Sequence, residues 1–194
     1  MFNLSAVIFA GGASRRMGQN KALLPFGGYD TLAQYQYERL KPLFKKVYIS
    51  TKNPEFFKFT KDFIIDTRTE FAPTIGLLSS IEQLNEEKFF VLSVDSPFVG
   101  EFEIKKLLKS DRKSATVARV DFNVHPLCGV YHSSLKNELE KMIDENHHKL
   151  QTLLKNKNAT YVDFADDLIF SNLNDPDEYK KALTKIRQFK TLFL

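Results

Sequence analysis

Residues 4–21, LSAVIFAGGASRRMGQNK, decide how this chain folds. The run from Leu4 to Ala10 is apolar apart from Ser5, has no basic residue before it, and stops at Gly11-Gly12. A short continuous apolar run closed by paired glycines reads as a strand buried on both faces, neither a signal peptide nor a membrane span. The glycines let the backbone approach a ligand closely, and successive N–H groups in such a turn form an anion cradle. Arg15, Arg16 and Lys21 follow closely. Three cations beside a glycine turn suit a triphosphate better than they suit a solvated loop.

Two familiar nucleotide loops are excluded by spacing. A Walker A loop needs G-x-x-x-x-G-K-[ST], whereas Gly18 is followed by Gln19 and Asn20. A dinucleotide fingerprint needs G-x-G-x-x-G, which Gly11, Gly12 and Ala13 do not supply.

Outward from that loop, KVYIST (46–51), FII (63–65), FFVLSVD (89–95), SATVARV (114–120), LCGVY (127–131) and ATYVDF (159–164) read as strands. Between them, Leu77, Leu78, Ile81 and Leu84 repeat with helical spacing, as do Ile104, Leu107 and Leu108, then Leu135, Leu139, Met142 and Ile143. NHHKLQTLLKN (146–156) and NDPDEYKKALTKI (174–186) read as further helices, the second capped by Asp175 with Pro176 at its first position. The alternation predicts an α/β fold: a doubly wound, mostly parallel sheet, helices on both faces, and a ligand crevice beyond the carboxyl ends of the strands. With no linker, repeat or low-complexity tract, one domain spanning 1–194 is expected.

Composition narrows the class. Hydrophobic residues at 43% and charged residues at 27% are ordinary globular usage. The net charge of +4 is spread along the chain, so nothing prompts nucleic acid as a partner, and no run reaches bilayer length. The single cysteine, Cys128, excludes a disulfide framework and fits the reducing cytoplasm. The four histidines do not form a metal set: His125 and His132 bracket an apolar run, and His147 and His148 lie in a polar stretch.

AGGASRRMGQNKALL (10–24) closely resembles the A-G-G-x-S-x-R-M-G-x-x-K signature of nucleotidyltransferases, in particular the molybdenum cofactor guanylyltransferases, or molybdopterin-guanine dinucleotide biosynthesis protein A family. The resemblance continues in order through FIID ending at Asp66, APTIGLLSSI from Ala72, VLSVDSPF from Val91, HPLCGVY from His125 and NLNDPDEY from Asn172. It implies a Rossmann-like nucleotidyltransferase fold that joins GMP from GTP to molybdopterin and releases pyrophosphate, with Mg²⁺ as cofactor. The implied nucleotide site comprises Phe9, Ala10, Gly11, Gly12, Arg16, Lys21, Asp66, Gly76 and Asp95, with Asp95 holding the metal. Arg16, Lys21 and Asp95 would carry the catalysis, and His125, Asn172 and Asn174 would face the pterin. Cofactor-delivery and acceptor proteins are the implied partners.

The chain departs from the family pattern in FGGYDTL (26–32), which lacks the lysine of a G-K-P-L segment, and at Ser50, where relatives carry an asparagine. Two alternatives stay open at this level. One is a cytidylyltransferase of the same fold acting on a pterin or a sugar alcohol phosphate. The other is a non-catalytic nucleotide-binding protein. Gly76, placed just before a helix pattern, reads locally either as a helix N-terminal turn or as part of a loop whose amides read the base, and is the feature expected to decide between GTP and CTP. Lys21 is expected to be an exposed loop residue. No Ser-His or Cys-His pair is visible, and none is needed by a phosphate nucleophile, which is already an anion near neutral pH.

Overall fold

The structure, a computed structural model, describes residues 1–11, 18–66, 68, 71–112 and 114–192, with side chains as far as 188. Its strands are β1 (Phe2–Phe9), β2 (Phe44–Thr51), β3 (Phe63–Ile65), β4 (Lys88–Ser93), β5 (Ala115–Val120), β6 (Asn123–His132) and β7 (Thr160–Phe164). Among the described residues they form one seven-stranded sheet in the order β3-β2-β1-β4-β6-β5-β7. Only β6 runs against its neighbours, pairing antiparallel with β4 and β5; the other pairs are parallel.

Six helices, counted among the described residues, cover the sheet: α1 (Leu32–Leu40), α2 (Pro73–Leu84), α3 (Glu101–Lys109), α4 (Lys136–Asp144), α5 (Leu150–Asn156) and α6 (Pro176–Leu192). Leu4, Ala6 and Ile8 of β1 join a cluster with Leu32 and Leu40 of α1, Ile104 and Leu107 of α3, and Ala182 of α6. Val7 and Phe9 join the opposite cluster with Leu77 and Leu78 of α2, Leu139 of α4 and Leu153 of α5. Alternate side chains of a strand point to opposite faces, so a strand covered on both sides must be apolar at consecutive positions. Each fully buried Leu, Ile or Phe contributes about 1.5–3 kcal/mol, which makes this central strand a main source of cohesion.

The local signals act where the sequence puts them. Thr31 Oγ1 accepts from the Gln34 amide at 3.0 Å and starts α1. Asp175 Oδ1 accepts from the amides of Asp177 and Glu178, both at 2.9 Å, and starts α6 beside Pro176. FGGYDTL opens with a tight turn in which Phe26 and Tyr29 exchange N–H···O bonds of 3.1 and 3.0 Å. Gly27 and Gly28 both have positive φ, 61° and 86°, as a two-residue turn of this kind requires. The Tyr179 hydroxyl of α6 donates to the Pro25 carbonyl and ties the turn to the C-terminal helix.

The topology makes the crevice. From β1 the chain crosses through α1 to β2 and β3, then returns through α2 to β4 on the other side of β1. The strand order thus reverses between β1 and β4, since the chain leaves β1 toward β2 and leaves β4 toward β5 on the other side. In open α/β sheets the ligand crevice lies beyond the carboxyl ends at such a reversal. No helix among the described residues is long and apolar enough to cross a membrane.

Candidate active site

The two central strands deliver their last residues to one point. Ala10, just past β1, donates its amide to the Ser50 carbonyl at 3.0 Å, and Val94, just past β4, donates to the Phe9 carbonyl at 3.1 Å. Asp95 follows and is 8% exposed. Its Oδ1 accepts from Ser93 Oγ at 2.5 Å, and its Oδ2 lies 2.5 Å from Lys21 Nζ. Lys21 begins a single 3-10 turn, Lys21–Leu23, fixed by the Asn20 side chain accepting from the Ala22 amide at 3.0 Å. Lys21 is thus not the exposed loop side chain expected from sequence. It folds inward because the Asp95 carboxylate offers a charge-assisted hydrogen bond in a half-dry setting.

Two clefts meet at Asp95. The first, of about 480 Å³, is lined by Phe9, Ala10, Gly11, Lys21, Ser50, Asp66, Phe71, Gly76 and Asp95, among others. The second, of about 560 Å³, is lined by His125, Pro126, Cys128, Lys149, Gln151, Phe170, Asn172 and Asp95, among others. Pro73, Ser93, Asp95 and Leu127 border both.

Asp66, just past β3, has a buried Oδ1 with no hydrogen-bond partner among the described residues. Burial pushes its carboxyl above the ordinary aspartate range, while the Ser79 hydroxyl and the Lys52 ammonium act in the opposite direction. Phe71 stands 63% exposed in the first cleft, with Lys52 Nζ 4.0 Å from its ring centroid.

Of the two readings of Gly76, the loop is the one to correct: α2 begins at Pro73, so Gly76 lies in the first helical turn. Its amide points to the Ala72 carbonyl at 3.4 Å, and its carbonyl accepts from Ser80 Oγ at 2.6 Å. A proline at the first helical position starts the helix earlier than the apolar repeat implies. The glycine is needed for close approach, since a Cβ there would come 2.8 Å from Phe9 Cε2 and 3.3 Å from Ser50 Oγ.

In the second cleft the His125 ring packs on Phe170, with centroids 5.0 Å apart, and its Nε2 is buried with no partner among the described residues. Burial holds the imidazole below its ordinary range against the opposing Asp167 carboxylate. Burial also pushes the Cys128 thiol well up, so it stays protonated and is no nucleophile. Asn172 Oδ1 accepts from Ser96 Oγ at 2.7 Å, and the Leu173 amide donates to the Asp95 carbonyl at 3.0 Å, tying this segment to the centre. Asn174 borders neither cleft; its amide donates to Glu178 Oε2 at 2.6 Å at the start of α6.

The expected residues Gly12, Arg15 and Arg16 lie outside the described residues. Phe71, Lys149, Gln151 and Leu127 line the clefts without having been singled out. Leu127 belongs to the HPLCGVY motif, where its apolar side chain reads as strand core, and Lys149 and Gln151 fall in a stretch that reads only as helix. Phe71 stands in no motif, so nothing local marks any of the four as facing a ligand. Among the described residues, no three of His, Cys, Asp and Glu gather to hold a metal. Asp95, a carboxylate facing both clefts, fits Mg²⁺, which takes one or two protein carboxylates and completes its shell with phosphates and water.

Comparison with known proteins agrees with the fold. The family described as MobA-like NTP transferase domain matches residues 6–161. The molybdenum cofactor guanylyltransferase of Campylobacter jejuni subsp. jejuni serotype O:6 is 36% identical over 189 residues, covering 95% of this chain and 97% of that protein. The enzyme of the same name from Helicobacter pylori strain G27 is 31% identical over 192 residues, covering 96% and 94%. The crystal structure of molybdopterin-guanine dinucleotide biosynthesis protein A from Archaeoglobus fulgidus superposes with a TM-score of 0.82 at 23% identity, covering 95% of this chain and all of that one, and so matches in fold. The chain belongs to the MobA-like NTP transferase family of nucleotidyltransferases.

Proposed function

We propose that this protein transfers GMP from GTP to the molybdenum cofactor. The observation that carries the reading is the pair of clefts sharing Asp95, which gives a donor nucleotide and an acceptor one common edge. The names of the relatives supply the chemistry: proteins 36% and 31% identical along nearly their whole length are molybdenum cofactor guanylyltransferases.

GTP would occupy the first cleft and the molybdopterin phosphate the second. A phosphate oxygen of the acceptor forms the new bond to the α-phosphorus of GTP as the bond to the pyrophosphate oxygen breaks, so pyrophosphate leaves and no protein nucleophile is required. Lys21 would leave Asp95 and bind the phosphates of GTP, stabilising charge on the departing pyrophosphate. Arg16 would add a second cation there. The unpartnered Asp66 oxygen would accept from donor groups of the nucleotide, the guanine N1–H and N2–H or the ribose hydroxyls. Asp95 would hold Mg²⁺, which when bound neutralises phosphate charge between the reacting groups. His125 and Asn172 would orient the pterin side, and delivery and acceptor proteins would work at its mouth.

The test is single-turnover transfer from GTP labelled at the α-phosphate to molybdopterin in the presence of Mg²⁺. Label should enter the dinucleotide in step with pyrophosphate release, and CTP should react far more slowly. No transfer from GTP by the folded protein, or equal transfer from CTP, would overturn the reading.

A further inference from the structure

We infer that Gln36 is a positioning residue for Asp95, holding through hydrogen bonds to the carbonyls of Ser93, Val94 and Ser96 the turn on which that carboxylate stands; this rests on the role proposed for Asp95 above.

Gln36 lies on the face of α1 that carries Leu32, Ala33, Tyr37 and Leu40, and is fully buried. A buried side-chain amide costs several kcal/mol unless its groups are bonded. Here Nε2 donates into the carbonyls of Ser93 at 3.3 Å, Val94 at 3.1 Å and Ser96 at 3.0 Å. The Oε1 accepts from Arg39 Nε at 2.8 Å and Nη2 at 2.6 Å. A guanidinium has donors only, so this pairing fixes which end of the amide is oxygen and aims both N–H groups at the turn.

The same helix face reaches further along the turn. Arg39 Nη1 donates to the Val99 carbonyl, and the Tyr35 hydroxyl to the Pro97 carbonyl at 3.4 Å. The Asp95 carbonyl itself receives the Leu173 amide at 3.0 Å. The backbone on both sides of Asp95 is therefore tied to α1, and Asp95 to the segment carrying Asn172. An apolar side chain would suit this helix position, but it would leave these inward carbonyls without donors. The arrangement matters to chemistry because a displacement of about 1 Å at a reacting centre costs on the order of a hundredfold in rate.

Two variants test this. Gln36→Glu keeps the acceptor for Arg39 and removes the donors; Gln36→Met removes both at similar volume. The measurements are thermal melting, GTP affinity without metal, KM and kcat for GMP transfer, and Mn²⁺ affinity of the GTP complex read by electron paramagnetic resonance. We expect cooperative melting, metal-free GTP affinity and KM within about twofold of the parent, and kcat and Mn²⁺ affinity each lower by about tenfold or more. A folded variant with parental kcat and Mn²⁺ affinity overturns the inference. So does loss of cooperative melting in both variants, which would make Gln36 a determinant of folding alone. Asp95→Asn assayed alongside separates the two levels. If it transfers GMP at the parental rate, the reading of Asp95 falls and the inference with it; if it is inactive while the Gln36 variants are unchanged, only the inference falls.

Discussion

Lys21 and Asp95 neutralise each other where two clefts meet, Nζ 2.5 Å from Oδ2, with side chains 14% and 12% exposed. Under the proposed function each group exchanges this partner for a ligand: the ammonium for phosphate oxygens, the carboxylate for a divalent cation. The pair keeps two charges from facing a half-dry crevice alone, where an unpaired charge is costly.

Replacing Lys21 by Met should therefore act on binding and on folding together. GTP affinity, read by calorimetry, should fall about tenfold or more with the loss of a charge-assisted phosphate contact. Denaturant unfolding should show a loss of about 1–3 kcal/mol, because Asp95 keeps only the Ser93 hydroxyl of its two side-chain partners among the described residues. Parental GTP affinity in the folded variant would remove Lys21 from the phosphate site.

Asp95→Asn keeps volume and replaces an anionic metal ligand with a neutral one. Pyrophosphate release across a Mg²⁺ titration should fall by about a hundredfold or more, with cooperative melting retained. A folded variant that turns over at the parental rate at low Mg²⁺ would take Asp95 out of the mechanism.

Asp66 links stability to pH in a direction opposite to that of a salt-bridged carboxylate. Its raised value means the native chain takes up the proton more readily than the unfolded chain. Its charge thus lowers stability above that raised value, and the penalty fades as pH falls through the interval down to the ordinary aspartate range. Asp66→Asn should raise the melting temperature near pH 7 and leave it unchanged below that range, while weakening GTP binding. Melting curves that shift equally at both pH values would contradict this assignment of the penalty.

Gly76→Ala reverses an ordinary rule. Alanine is better than glycine inside a helix by about 1 kcal/mol. Here the new methyl would press on the Phe9 ring, which is buried among Leu77 and Leu78, and overpacking of this kind costs about 1–3 kcal/mol. Urea unfolding should show no gain or a net loss, and GTP affinity should fall as Phe9 shifts at the cleft. A clear stabilisation with unaltered binding would show that the ring moves aside freely.

What was legible in the sequence was whatever short-range physics writes locally. The both-faces-buried run of β1, the helical repeat of Leu77, Leu78 and Ile81, the Asp175-Pro176 helix start and the carboxylate emerging after FFVLSV each depend on neighbours a few positions away. From these follow the α/β alternation and the carboxyl-end location of the crevice. The sequence by itself also supplied the order of motifs that points to nucleotidyl transfer.

The tertiary structure decided what depends on residues distant along the chain. The reversal of β6, the inward closure of Lys21 onto Asp95 across 74 positions, and the sharing of Asp95 between two clefts follow from which strands become neighbours in the sheet. The local signal of Gly76 fits a loop and a helix start equally, and only the approach of Phe9 and Ser50 reveals why no side chain fits there. Gln36 would pass for an ordinary polar residue of α1. The carbonyls it bonds lie 57 to 60 positions away, on a turn that needs those donors only once the fold has closed water out.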